Sequence, residues 1–148
     1  MKLSLNVRII LAAIVFMIIA QIIHTLSTIL TMDYYYNPAY FLIWSKIMMS
    51  IEGPPPAEFY YYSLAFAFIT GLIYSFIYSR IRVFFKQKSA LRKGLKYGFA
   101  LFLIAGIPSF FTMFLLINLP FELLISWLIF DSLIAYLIGG MAIAKIVK

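Results

Sequence analysis

The sequence predicts an all-α integral membrane protein with four transmembrane helices, both termini cytoplasmic, and a short amphipathic outer helix between the first and second spans. Three observations carry this. Hydrophobic residues are 65% of the 148 and charged residues 11%, with a mean hydropathy of +1.02, whereas a soluble domain is about half apolar and about a quarter charged. The apolar residues gather into runs that can cross a hydrocarbon core about 30 Å thick, which takes roughly 20 helical residues. The charges are also sorted. Seven of the twelve Lys and Arg residues (Arg80, Arg82, Lys86, Lys88, Arg92, Lys93, Lys96) sit between two such runs. With Lys2, Arg8, Lys145 and Lys148 they fall on the side that one topology puts in the cytoplasm, and Asp33, Glu52, Glu58 and Glu122 fall on the other. Basic loops stay cytoplasmic. The net charge of +7 therefore reads as orientation, with contact of these seven residues to anionic lipid as its by-product. Nucleic acid is not an expected partner. The length calls for a single domain, residues 1–148.

The first span, residues 9–31, follows a short basic segment. It is long enough to cross, and no small-x-small cleavage site follows a short core, so an uncleaved helix is predicted. Asp33 and the tyrosines at 34–36 then mark the headgroup level. Asn37 is a suitable N-cap and Pro38 a suitable first-turn residue. They predict a helix over 38–51 that is too short to cross and is in-plane or re-entrant, with Trp44 in the interface and Lys46 and Ser50 on one face; in a transporter it would be an outer lid. Gly53 and the prolines at 54–56 end it as a stiff spacer.

The second span is 58–79, with Gly71 permitting close helix contact, and the basic loop is 80–96. The third span, 97–118, begins at a small-xxx-small pair, Gly94 and Gly98. Near its midpoint lie Gly106 and Pro108. Pro108 has no N–H for the carbonyl of Ile104, which predicts a kink and a hinge. The fourth span, 121–144, opens with Glu122 at its positive N-terminal end. It carries two further small-xxx-small pairs, Ala135/Gly139 and Gly140/Ala144.

The absence of cysteine excludes disulfides, thiolate catalysis and thiolate metal sites. What needs explaining is polar material inside the spans. Asp131 lies ten residues into the fourth span, about half way through the hydrocarbon, where an unpartnered carboxylate is costly and a functional role is the default reading. A protonated Asp bonded to a neighbouring helix, or paired within an oligomer, is the structural alternative. His24 is the only histidine. Gln21, His24, Thr25 and Thr28 recur at helical spacing and form one stripe that must face protein. The first and fourth spans run antiparallel, so Gln21, His24 and Asp131 share a depth band. An Asp–His pair there would be an ion or proton site; alternatively, His24 bonds a backbone carbonyl or a Thr. One His and no Cys cannot build a zinc tetrad or bis-His haem ligation within one chain, so neither metal nor cofactor is expected. No GxSxG or HExxH motif frames Ser27, Ser109 or Ser126, and enzymatic activity is not expected.

The chain resembles the many small four-span inner-membrane proteins of prokaryotes, a likeness that brings no site residues with it. A multi-pass protein of the prokaryotic inner (plasma) membrane is the expectation, with membrane lipid as a partner. Two functions fit. One is a non-catalytic subunit or assembly partner of a membrane complex, or a homo-oligomer, supported by the small-residue faces. The other is a small transporter or channel for protons, ions or a small solute, using Asp131 and the Gln21/His24 stripe.

Overall fold

Apolar side chains spread around every helical face, rather than along one stripe, mark helices that meet lipid as well as one another. The computed structural model describes residues 3–45, 47–48 and 55–148. Four of its helices are long and apolar enough to cross a membrane: α1 (Leu5–Leu30), α2 (Ala57–Phe84, its last turn a 3-10 turn), α3 (Ala90–Leu116) and α4 (Phe121–Ile146). Ile22, Leu26, Phe66 and Ile104 are among the many large apolar side chains left exposed on the bundle's outside, as acyl chains require. The local rules for helix ends are followed. Ser4 Oγ accepts from the Val7 N–H at 3.4 Å, and Pro56 and Pro120 stand just before helices with Glu58 and Glu122 in their first turns.

Two expected boundaries shift. The 80–96 segment is mostly helical: α2 runs through Phe84 and α3 begins at Ala90, leaving only 85–89 as a link. Leu, Arg and Lys are good helix formers, and Gly94 within this segment is needed against α4. The predicted outer helix over 38–51 does not form in its described part. Asn37 does cap Pro38–Tyr40, its Oδ1 accepting from the Ala39 N–H at 3.0 Å, but that element is a single 3-10 turn, followed by non-helical turns. A 14-residue segment is marginal as a helix without packing. Here Ser45 Oγ takes the Met48 N–H at 3.1 Å, the local competition that makes Ser a turn former. Lys46 and Ser50, assigned to one helical face, lie outside the described residues.

The packing order is α2–α1–α4–α3. The closest approach joins α3 to α4. A Cβ added at Gly98 would fall on the Tyr136 carbonyl oxygen, and one at Gly140 would lie 2.6 Å from the Gly94 carbonyl oxygen. Gly139 seats the Phe16 ring, and Gly71 lies on the backbone of Ala13. The glycines of the predicted small-residue faces are thus occupied within the chain.

The described chain ends and the described basic residues share one end of the bundle. Arg82 Nη1 donates to the Val147 carbonyl at 3.0 Å and Arg8 Nη1 to the Lys148 carbonyl at 2.9 Å; cations are favoured at a helix C-terminus. Arg82 is therefore turned toward α4, whereas Arg80, Lys86, Lys88, Arg92 and Lys96 are exposed and Lys93 half-buried. The buried core fills this basic half: Phe16, Tyr78, Tyr97, Leu101, Ile143 and Val147. Tyr97 Oη donates to the Tyr74 carbonyl at 2.7 Å and ties α3 to α2. Tyr97→Phe is expected to lower stability by about 1 kcal/mol, the net worth of one such bond, read as an earlier denaturant midpoint with unchanged helicity.

Beside Pro108, where a kink is expected, the backbone leaves the regular α form. Over Phe102–Gly106, α3 is π-helical, with the Ile107 N–H bonded to the Phe102 carbonyl. The widened turn absorbs the disruption that Pro108 imposes, and Thr112 Oγ1 donates to the Pro108 carbonyl at 2.9 Å. A second π segment, Leu128–Ile134 in α4, packs directly against the first, and a Cβ added at Gly106 would lie 3.0 Å from Ser132 Cβ. Neither proline nor glycine lies inside that second segment.

Candidate functional site

In the half of the bundle opposite the basic end, the helices flank a half-open cavity of about 860 Å3. Its polar wall comes from α1 and α4. His24 is six residues from the end of α1 and Asp131 ten from the start of α4, about 9 and 15 Å along the helices. Their side chains meet: His24 Nδ1 lies 3.1 Å from Asp131 Oδ1, both partly buried. With the proton on Nδ1 the imidazole donates to the carboxyl oxygen, a partner of the kind that an intramembrane carboxylate requires. Asp131 occupies the second π segment. Such widened turns place an extra residue in the helix and recur at functional sites.

Gln21 lies one turn away on the same wall, its Oε1 accepting from Ser63 Oγ of α2 at 3.2 Å. The stripe's two threonines bond their own helix: Thr25 Oγ1 donates to the Gln21 carbonyl at 2.8 Å and Thr28 Oγ1 to the His24 carbonyl at 2.9 Å. They therefore offer the cavity methyl groups more than free hydroxyls. Ser27 does not reach His24; its hydroxyl lies 3.1 Å from that of Ser126. Among the described residues no third His, Asp or Glu joins His24 and Asp131, so the pair offers a metal ion a sparse ligand set.

The mouth of the cavity is aromatic. Trp44 stacks on Tyr35, centroids 5.0 Å apart and planes 14° off parallel, and lies 6.3 Å from the Trp127 ring. Trp127 Nε1 donates to Tyr35 Oη at 3.0 Å. Burial holds the Tyr35 phenol above its ordinary range, so it stays neutral and free to accept this bond. Ile43, Trp44, Ser45 and Met48 of the segment expected to be an outer helix line the cavity without forming a helix. The floor is a second aromatic layer: Phe16 packs edge-on to Tyr74 at 5.5 Å and Tyr74 edge-on to Tyr136 at 5.6 Å. Below it the Gly94, Gly98 and Gly140 contacts close the basic half.

The predicted site residues therefore divide. Asp131, His24 and Gln21 come together on one cavity wall. Gly106 lies at the interface of the two π segments and Pro108 just beyond it, exposed. The sequence reading missed Ser63, Trp127 and Tyr136, which line the same cavity. A serine or tyrosine in an apolar run is too common to signal a site, and only the cross-helix contact reveals it.

No protein-family model, curated protein or solved structure matches the chain.

Proposed function

We propose that the protein is a small transporter of the prokaryotic inner membrane that moves a small solute in linkage with a proton, and that the His24–Asp131 pair is the proton site. The observation that carries this reading is the 3.1 Å contact of the two side chains on the wall of a cavity that reaches about 15 Å into the spans. A buried ion pair serving only to hold α1 to α4 would be better packed and dry, since a charge beside open space gains little for its desolvation. The alternative of an assembly subunit loses a support, because the glycines expected to form association faces already pack inside the chain.

In this reading the basic end stands in the cytoplasm and the cavity opens to the outer side. With His24 neutral and Asp131 ionised the pair carries one negative charge; taking up a proton neutralises it, which changes what the apolar cavity can hold. The other titratable groups on the cavity are the phenols of Tyr35, Tyr36, Tyr60 and Tyr136. The floor formed by Phe16, Tyr74 and Tyr136 shuts the opposite side. The abutting π segments, with Gly106 and Pro108, supply the flexure by which the outer halves of α3 and α4 move on inner halves locked at their glycines.

The test is charge movement on a solid-supported membrane after a pH jump between about pH 5 and 8, the range in which a histidine-linked site responds. The expected result is a transient current from the wild-type protein that disappears in Asp131→Asn, with both proteins monodisperse in detergent. A current of the same size in both would remove the carboxylate from the transport reading.

A further inference from the structure

We infer that the ligand of this cavity is a lipophilic organic cation. The inference rests on the proposed transport reading in using the same carboxylate, and it names the class of solute. Asp131 is the one carboxylate among the described lining residues, and no Lys or Arg is among them. With His24 neutral, the described lining carries one negative charge, and an anionic solute would meet that carboxylate in a low dielectric. A calcium or magnesium ion is poorly served: such ions take about six or more oxygen ligands, and beyond Asp131 the amide oxygen of Gln21 already accepts from Ser63. An organic cation needs no such shell. The faces of Tyr35, Trp44 and Trp127 cluster at the mouth, and indole and phenol faces attract cations, most strongly where water is excluded.

The rest of the lining points to an apolar body on that cation. Ala20, Ile29, Met113, Leu124 and Leu128 wall the cavity. Its volume of about 860 Å3 lies within the range of about 300–1,000 Å3 usual for small-molecule sites. Its side is also unsealed. Ser63 and Ala67 of α2 and Phe110 and Met113 of α3 line it from opposite walls, yet α2 and α3 are tied by side chains only farther in, through Tyr97 with Tyr74 and Tyr78. No hydrogen bond or ring contact among the described residues bridges their outer halves. In a bilayer that gap faces acyl chains, where a lipophilic cation is concentrated and a hydrophilic one is absent.

Cation and proton then compete for the one negative charge of the His24–Asp131 pair. Lowering the pH weakens cation binding, by up to about tenfold per unit over the range in which the pair takes up its proton.

The chain's two tryptophans are Trp44 and Trp127, and both line the cavity, so intrinsic fluorescence reads this site alone. The protein in nanodiscs of zwitterionic lipid is titrated with tetraphenylphosphonium and, separately, with the size-matched anion tetraphenylborate. The expected result is a saturable tryptophan response to the cation, with an apparent Kd that rises as pH falls. The anion should give only the linear drift of partition into lipid. Asp131→Asn should weaken the cation response at least about tenfold, and Asp131→Glu should restore it, which separates lost charge from lost fold. Equal saturable responses to both ions, or a cation response unchanged in Asp131→Asn, would overturn the inference. A pH-jump current lost in Asp131→Asn without any saturable cation response would sink the cation inference and leave proton linkage standing. Cation binding that needs Asp131 without any such current would do the reverse.

Discussion

Replacing Gly98 with alanine is expected to destabilise the bundle by about 1–3 kcal/mol, the cost of overpacking a tight interface. The direction is diagnostic. In an unencumbered helix the same change would stabilise by roughly 1 kcal/mol, because alanine is the better helix former. Here the added methyl falls on the Tyr136 carbonyl oxygen, and backbone cannot step aside as a side-chain tip would. Relief requires α3 and α4 to separate along the Gly94, Gly98 and Gly140 contact, which also loosens Tyr97 and Leu101 in the core. Unfolding by denaturing detergent should show the loss, with the exposed Phe99→Ala as a nearly silent control on the same helix. A Gly98→Ala protein as stable as wild type would mean that the two backbones do not approach this closely in the membrane.

The second large effect is at the cavity floor. Phe16 is 2% exposed, seated on Gly139 and edge-on to Tyr74. Phe16→Ala is expected to cost about 3–5 kcal/mol through the space it leaves. Its functional consequence is more specific, because that space lies one turn below Ala20, which lines the cavity. Removing the ring joins the cavity to the basic half and converts a transient pH-jump current into a steady leak. Phe16→Leu, which keeps most of the volume, should retain the transient. If proteoliposomes carrying Phe16→Ala hold a proton gradient as tightly as wild type, the layer of Phe16, Tyr74 and Tyr136 is not the seal.

The two substitutions also show how far a linear reading reaches. Gly94, Gly98, Gly139 and Gly140 were legible as contact residues from spacing alone, but spacing could not say whether the contact was with another copy or with the same chain. The structure spends them internally, and with them goes an argument for assembly. Pro108 was legible as a disruption; its outcome, a π turn facing another π turn, depended on α4. The outer helix expected over 38–51 does not form in its described part, because helical spacing and a good N-cap are not enough for a short segment whose side chains bond and pack in turns instead. Trp44, assigned to the membrane interface, stacks on Tyr35, a partner that hydropathy does not reveal.

What the sequence determined by itself was the class of protein and the layout of its spans. Four apolar runs, prolines before the second and fourth helices and basic residues gathered at one end follow from transfer free energies and backbone chemistry, which act residue by residue over short distances. It also singled out Asp131, His24 and Gln21, since a polar group in an apolar run is visible without any partner. Only the tertiary structure decided that His24 and Asp131, 107 residues apart, bond to one another, and that the space beside them is a walled cavity with an aromatic floor. Those facts depend on which helix faces meet, and here the choice rests on a few close backbone contacts at glycine. Almost every face of these helices is apolar, so the hydrophobic pattern that would orient a helix in a soluble protein carries no such information in this one.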